Sequence, residues 1–330
     1  MTVSDPLYGD AEVLRVLLRR RAARGRGAAR HDPHRVALVV GGGGMRGAYT
    51  AGMLNGLESA GLRSSIDEVF GASSGAFGAA AFAVGQAQAG AACYPEDLAT
   101  RKFINLARLG TRRPVVSLDY LLGEVLEVRK PLPWDLLGSA PIATRIVATD
   151  RNDLTAHTLE PVTADHWREA IRASASIPLL AGPPVSFGGR EWIDGSVAEP
   201  LAVARALRAG ATHVLALLCR GRGELHSGPH AELSWWAKGL DRFAPGLGTV
   251  AQGSRRYGDD LRLITRAPDP LRPEVRLAAI GPDRGAGVGG LCTDRAALQA
   301  AVQIGEHSMV TAIEGCSETA PTPGPGSVSP

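Results

Sequence analysis

The sequence has few cysteines and almost no excess charge. Its four cysteines, Cys93, Cys219, Cys292 and Cys316, lie far apart and form no C-x-x-C pair. This spacing argues against a zinc site and a disulfide framework, and it favours a reducing compartment. The 36 basic and 33 acidic side chains leave a net charge of +3. That charge is too small for a nucleic-acid binder that relies on bulk electrostatics.

Segments that would export or anchor the chain are also missing. The N-terminus has no apolar core followed by a small-residue cleavage site, so we expect no signal peptide. Residues 70–95 carry no charge, but their alanine and glycine content, with Gln86 and Gln88 among them, favours a buried helix over a membrane span. We therefore expect a cytoplasmic protein.

The remaining composition is that of a globular protein. The 330 residues are 45% hydrophobic and 21% charged, which is enough apolar material for one large α/β domain or two small ones. We divide the chain into a basic leader (1–34), one folded domain (35–316) and a tail (317–330). The tail is rich in Pro, Gly and Ser, and we expect it to be disordered.

The leader contains a basic and partly amphipathic stretch, residues 8–30, with no acid between Glu12 and Asp32. One interpretation is a helix that rests on anionic lipid through Arg15–Arg30, which would place the protein at the inner membrane face. The alternative is a solvated helix followed by an arginine-rich linker.

Two strand–turn–helix units follow the leader. Residues 35–40 and 66–70 are short apolar runs that predict buried strands, and each is followed by a glycine-rich turn and a helix, the first over 48–60. This alternation predicts an α/β fold with a parallel sheet. Further strands are predicted at 144–148 and 213–218, and further helices at 117–128, 162–175, 200–209, 254–266 and 293–314.

The first turn, Gly41–Gly47, has four consecutive glycines. Backbone N–H groups in such a loop can converge on an anion, helped by the positive end of the next helix. The anion could be a phosphate or the oxyanion of an acyl-transfer intermediate. Dinucleotide binding requires an acid at the end of the second strand, whereas Asp67 begins that strand, and no G-K-[ST] sequence closes the loop.

The second turn, Gly71–Gly75, has the G-x-S-x-G pattern of a nucleophile between a strand and a helix. Alone, the pattern is also explained by a turn in which Ser73 caps the helix. Because both turns follow adjacent parallel strands, they lie on the same edge of the sheet. An anion-binding loop beside a serine favours acyl transfer.

A nucleophilic serine needs a base. His307 with Asp294 would give the Ser–Asp–His order of α/β-hydrolases, but His307 lies inside a predicted helix. Asp194 follows the apolar pair Trp192 and Ile193, where partial desolvation would raise its basicity. The Asp-Gly pair is equally typical of a simple turn.

Three motifs in this order make the sequence similar to the patatin-like phospholipase family, in its bacterial branch. Gly42–Gly47 matches G-G-G-x-R-G, Gly71–Gly75 matches G-x-S-x-G, and Asp194–Ser196 resembles D-G-[GA]. The stretch Arg172–Pro178 resembles the family's small-residue segment before the aspartate. The resemblance extends from about residue 36 to about residue 310.

The resemblance implies a three-layer α/β/α sandwich with a central, mostly parallel sheet, and a Ser–Asp dyad without histidine. Ser73 would be the nucleophile and Asp194 the proton acceptor, and no metal or cofactor would be needed. The implied oxyanion hole comprises Gly42, Gly43, Gly44, Met45, Arg46 and Gly47. Its donors would be the N–H groups of Gly43, Gly44 and Met45 or Arg46, while Gly71, Gly75 and Gly195 would shape the turns.

The implied activity is hydrolysis of carboxylic esters in phospholipids or lysophospholipids. An acyltransferase with the same dyad, a nucleotide-binding protein and a catalytically silent lipid-binding relative are the alternatives. The sequence departs from the family at Ser196, where Gly or Ala is usual. We expect its hydroxyl to hydrogen-bond Asp194 and lower the basicity of that carboxylate. Trp235 and Trp236 could line an acyl entrance or pack elsewhere.

Overall fold

A computed structural model of the protein describes residues 6–27, 32–221, 240–243, 245, 247–248, 254–266 and 270–318. Its strands form one mixed sheet of nine strands. In chain order, β1 to β9 are Leu7–Gly9, Val36–Val40, Glu68–Ala72, Ala143–Asp150, Ala156–Leu159, Val185–Phe187, Arg190–Asp194, His213–Leu217 and Arg276–Ile280.

The centre of this sheet is parallel. The strand order is β1-β9-β8-β2-β3-β4-β7-β6, with β5 paired to β4. The four contacts from β9 to β4 are parallel, and the pairs at either end are antiparallel. The prediction of an α/β fold with a mostly parallel central sheet is therefore confirmed.

Helices pack on both faces of the sheet. Along β2, Val36, Leu38 and Val40 face one apolar core, while Ala37 and Val39 face the other, as the two-residue period of a strand requires. We label ten of the helices α1 to α10: Glu12–Gly25, Gly47–Ser59, Ser74–Ala83, Ala87–Cys93, Tyr120–Arg129 (a π-helix), Trp134–Leu137, Ala164–Ser174, Val203–Arg208, Ser254–Thr265 and Arg295–Glu318. A shorter π-helix, Tyr94–Leu98, follows α4. Two covered faces give the three layers that were expected.

The charge-free stretch 70–95 forms the end of β3 and the buried helices α3 and α4, as predicted. In the described part of the chain, no helix combines the length and hydropathy that a membrane crossing requires. The second strand extends to Ala72, beyond its predicted end at residue 70. Helix α10 also runs to Glu318, past the predicted start of the tail, and residues 319–330 lie outside the described residues.

The basic leader is part of the folded body, which differs from both interpretations of its sequence. Strand β1 pairs with β9, and the apolar side of α1 is buried through Val13, Leu14, Val16 and Leu17. Because these side chains contact the protein core, they are not available to insert into lipid. Residues 28–31, which include Arg30, lie outside the described residues.

Arg20 connects α1 to the central sheet. Its side chain is 4% exposed. Its guanidinium donates to Asp32 Oδ1 at 2.6 Å and to Asp67 Oδ2 at 3.0 Å. The carbonyl oxygens of Ser65 and His34 accept further bonds at 2.6 Å. Asp67 also accepts the N–H of Val36 at 2.7 Å, so this cluster joins α1 to the starts of β2 and β3.

We predict that Arg20→Met lowers the free energy of unfolding by about 3 kcal/mol, because Asp32 and Asp67 lose their buried counterion. This loss is at the low end of the range for buried ion pairs, because the side chains of Asp32 and Asp67 are each about one quarter exposed to solvent. Urea denaturation measures it. The control is Arg19→Met, whose exposed partner is Glu12, with an expected loss below about 1 kcal/mol. Equal losses in the two variants would contradict a structural role for the cluster.

Candidate active site

The candidate nucleophile and the glycine loop meet at one edge of the sheet because β2 and β3 are parallel neighbours. Their register pairs Val40 with Gly71. The glycine loop begins one residue after Val40, and Ser73 follows the end of β3 directly. Both motifs therefore leave the sheet side by side, as the sequence predicted.

Ser73 occupies a strained turn between β3 and α3, with φ +56° and ψ −127°. A left-handed backbone is unusual for a residue other than glycine, and such strain concentrates at functional sites. The flanking glycines allow the turn to pack closely. A Cβ on Gly75 would lie 2.2 Å from the Val40 carbonyl oxygen, and one on Gly71 would lie 2.3 Å from the Gly75 oxygen.

Ser73 and Asp194 are in direct contact. The Ser73 hydroxyl donates to Asp194 Oδ2 at 2.6 Å, and the two residues are 4% and 3% exposed. The other carboxylate oxygen accepts the backbone N–H of Ser196 at 2.8 Å. The buried Ser196 hydroxyl meets no hydrogen-bond geometry with a described residue, but it lies close enough to Asp194 to favour the ionised carboxylate, in the direction that was expected. The fold thus joins two motifs that are 121 residues apart.

Burial raises the pKa of the Asp194 carboxyl from 3.8 to about 6, because the charged form loses its hydration. Hydrogen bonds from Ser73 and from Ser196 favour the ionised form and limit this rise. A carboxylate with a pKa near 6 is a stronger base than an exposed aspartate and is still ionised at neutral pH.

The glycine loop offers fewer free donors than its sequence suggested. The Met45 N–H donates to the Gly290 oxygen at 3.0 Å, and the Arg46 N–H donates to the Gly43 oxygen at 3.2 Å. These two N–H groups are therefore occupied, which argues against the part of the predicted oxyanion hole that used them. The Gly43 N–H donates to the Ser74 hydroxyl at 3.1 Å. Among the described residues, the Gly44 N–H has no partner, and Gly44 lines two cavities that Ser73 also lines.

The other glycines of the motifs lie where a side chain would collide. A Cβ on Gly42 would lie 2.2 Å from the Ser196 hydroxyl and 3.0 Å from the Ser73 Cβ. At Gly47 it would meet the Tyr94 hydroxyl, and at Gly195 it would meet the Val147 oxygen. The loop, the elbow and the Asp-Gly turn therefore pack directly against one another.

Two serines that the sequence analysis did not assign hold the dyad in place. The Ser174 hydroxyl accepts the Ser73 N–H at 2.9 Å and donates to the Val147 oxygen at 2.6 Å. The backbone carbonyl oxygen of Ser176 accepts the Asp194 N–H at 3.0 Å. Both lie in the small-residue stretch Arg172–Pro178, so its resemblance to the family segment was the available signal.

An apolar cavity adjoins Ser73. It has about 550 Å³ of empty space including its open mouth. Its walls come mainly from Phe77 and Tyr94 and from the two chain segments on either side of residues 105–115. The lining residues include Gly44, Ser73, Leu98, Phe103, Ile104, Val116, Leu118, Leu121 and Ile177. The lining of the cavity is almost entirely apolar, and the cavity reaches Ser73.

The structure does not bring His307 and Asp294 together with Ser73, as the histidine alternative would require. His307 lies exposed on α10. Asp294 accepts the N–H groups of Ala296 and Ala297 at the start of that helix. Neither residue lines the described cavities beside Ser73. Trp235 and Trp236 lie outside the described residues.

One group of side chains elsewhere has ligand types that metals use. The ligand atoms of Asp150, Asp153 and His157 lie within 4.8 Å of one another. However, Asp150 Oδ2 accepts a bond from Arg190 at 2.8 Å, and Thr155 donates to Asp153. The charge of Asp150 is thus already compensated by Arg190, so the group does not indicate a metal site.

We predict that Ser174→Ala lowers the free energy of unfolding by about 1–3 kcal/mol, because the buried Ser73 N–H and Val147 oxygen lose their shared partner. Urea denaturation is the measurement. Ser139→Ala is the matched control, since that hydroxyl is exposed and its removal should change stability by less than about 0.5 kcal/mol. A Ser174→Ala protein as stable as the control would show that the two groups find other partners.

Comparison with known proteins gives a family and several distant relatives. A profile of the Patatin-like phospholipase family matches residues 38–207, more than half of the chain. The uncharacterized protein YjjU of Escherichia coli (strain K12) is 27% identical over 250 residues, which are 73% of this chain and 68% of YjjU.

Two solved structures are similar to this chain at a lower sequence identity. One is human GIVD cytosolic phospholipase A2 in complex with methyl gamma-linolenyl fluorophosphonate, at 12% identity and a TM-score of 0.47. The match covers 94% of this chain and 64% of the human one, so this chain spans less than two thirds of it. The other is VipD from Legionella pneumophila, at 13% identity and a TM-score of 0.41, covering 86% of this chain and 67% of VipD.

Proposed function

We propose, from the premise that the chain belongs to the patatin-like phospholipase family, that it is a serine lipid acyl hydrolase. Its substrates would be the carboxylic esters of phospholipids or lysophospholipids. The observation that carries the proposal is the 2.6 Å hydrogen bond from Ser73 to the buried Asp194, beside a glycine loop and an apolar cavity.

In the proposed reaction, the Ser73 oxygen attacks the ester carbonyl while Asp194 accepts the hydroxyl proton. The negative charge on the former carbonyl oxygen would be stabilised by the free N–H of Gly44. The Gly43 N–H would be a second donor only after it releases the Ser74 hydroxyl. Each such donor is typically worth about 3–4 kcal/mol of the barrier. Asp194 then returns its proton to the leaving alcohol, which departs and leaves an acyl ester on Ser73.

The second half of the reaction uses the same groups in reverse. Asp194 accepts a proton from water, and the water oxygen attacks the acyl ester. The fatty acid leaves when Ser73 regains the proton from Asp194. The cavity next to Ser73 supports a long acyl chain as the bound group, because its walls are apolar and its contents would be shielded from water.

We expect Ser73→Ala to abolish hydrolysis of a short-chain p-nitrophenyl ester, since no covalent intermediate can form. Asp194→Asn keeps the shape of the side chain but removes the base, so kcat should fall by about 10²–10⁴-fold. His307→Ala serves as the control and should keep wild-type activity. An inactive His307→Ala protein together with an active Asp194→Asn protein would overturn the dyad.

The proposed base also predicts a pH dependence. Only ionised Asp194 can accept the proton, and its pKa is raised to about 6 by burial. The value of kcat/KM should therefore be low in acid, rise with pH through a midpoint near 6, and level off above it. Initial rates with a short ester in constant-ionic-strength buffers measure this. A flat profile across that midpoint would argue against Asp194 as the base.

A further inference from the structure

The loop that joins two wall segments of the apolar cavity concentrates positive charge. Residues 101–113 contain Arg101, Lys102, Arg108, Arg112 and Arg113 and no acid, in a protein whose net charge is only +3. The nearest acids in sequence are Asp97 and Asp119. Asp97 already pairs with Arg129 and Lys130, and Asp119 pairs with Arg172. The loop therefore carries a strong local charge without neutralising neighbours in sequence.

Most of these cations are also free in space. Among the described residues, no carboxylate forms an ion pair with Arg101, Arg112 or Arg113, all of which are exposed. Arg108 donates only to backbone oxygens, at 3.4 Å. Lys102 reaches Glu124 at 3.4 Å, but the two side chains are 66% and 42% exposed, so the pair is weak.

The same loop exposes apolar side chains at its tip. Leu106 is 62% exposed and Leu109 is 54% exposed. Exposed leucines among unpaired cations fit the chemistry of an anionic bilayer surface, where the apolar groups enter the acyl boundary and the cations meet phosphates.

The loop is fixed at its base to the wall of the cavity. Ile104 and Val116 form an antiparallel bridge, and Phe103 accepts the N–H of Ser117 at 2.8 Å. Phe103, Ile104 and Val116 also line the cavity that reaches Ser73. A membrane bound at the loop tip would thus lie next to the chain segments that form the wall of the cavity reaching Ser73.

From these observations we propose that residues 101–113 form a docking surface for anionic lipid bilayers. This replaces the leader as the site of membrane contact. In α1 the apolar side is buried, Arg19 pairs with Glu12, and Arg21 donates to the Ala60 oxygen. Binding of the bilayer depends only on the charge and exposure of residues 101–113. The delivery of an acyl chain to Ser73 rests in addition on the proposed function.

The test measures co-sedimentation with vesicles of phosphatidylcholine, alone or mixed with phosphatidylglycerol, using Ser73→Ala protein so that no lipid is cleaved. The parent should prefer the anionic vesicles, and added salt should weaken its binding. Arg112→Gln with Arg113→Gln should bind about 30-fold more weakly, because each cation near an anionic surface is worth roughly fivefold in affinity. Leu106→Ser with Leu109→Ser should lose roughly tenfold.

The matched control is Arg24→Gln with Arg26→Gln, which removes the same charge from the exposed last turn of α1 and the residue after it, and should bind like the parent. Thermal unfolding of each protein verifies that the variants are folded. Equal binding by the loop variant and the parent, an equal loss in the α1 variant, or no preference for anionic vesicles would overturn the docking surface. Separate assays of the wild-type protein on a short ester report on the proposed function, so either can fail alone.

Discussion

The parallel pairing of β2 with β3 is the constraint from which the candidate site follows. With Val40 opposite Gly71, the glycine loop and the Ser73 turn leave the sheet next to each other. The turn fits there only because Gly75 has no side chain, since a Cβ would lie 2.2 Å from the Val40 oxygen. A shift of one residue in register would turn the core side chains of β2 to the opposite face, so packing of the two cores also secures the site.

A second strand completes the arrangement from the other side. Strand β7 runs antiparallel to β4 and ends at Asp194. The short segment around Ser174 and Ser176 lies between the two partners, bonded to Ser73 on one side and to Asp194 on the other. The strained Ser73 backbone is therefore held by bonds to its N–H and its hydroxyl. Such preorganisation lets a site hold reacting groups without spending binding energy to order them.

Burial at the dyad has a cost and a chemical use. Asp194 is nearly inaccessible, and among the described residues no cation bonds to it, so its ionised form is stabilised only by donors from Ser73 and Ser196. That balance leaves the pKa of Asp194 near 6. A much lower pKa would make the carboxylate too weak a base, and a pKa above neutrality would leave it protonated at neutral pH. The arginines of α1 make their contacts away from the dyad. Arg20 and Arg21 of α1 bond within the fold, whereas Arg101, Arg112 and Arg113 form no ion pair with any described residue.

The amino-acid sequence by itself determined the class of fold, the order of the first two strand–turn–helix units and the identity of Ser73 and Asp194 as partners. These follow from local patterns: apolar runs, glycines where backbone must approach backbone, and three motifs in a known order. It misjudged α1, because a basic amphipathic helix has the same sequence pattern whether its apolar side meets lipid or the protein core. Only the tertiary structure decided which loop N–H groups are free, that Ser174 holds the Ser73 backbone and that the 101–113 loop borders the cavity. Those features depend on contacts between residues far apart in the chain, such as Ser73 with Ser174 and Met45 with Gly290, which no local pattern encodes.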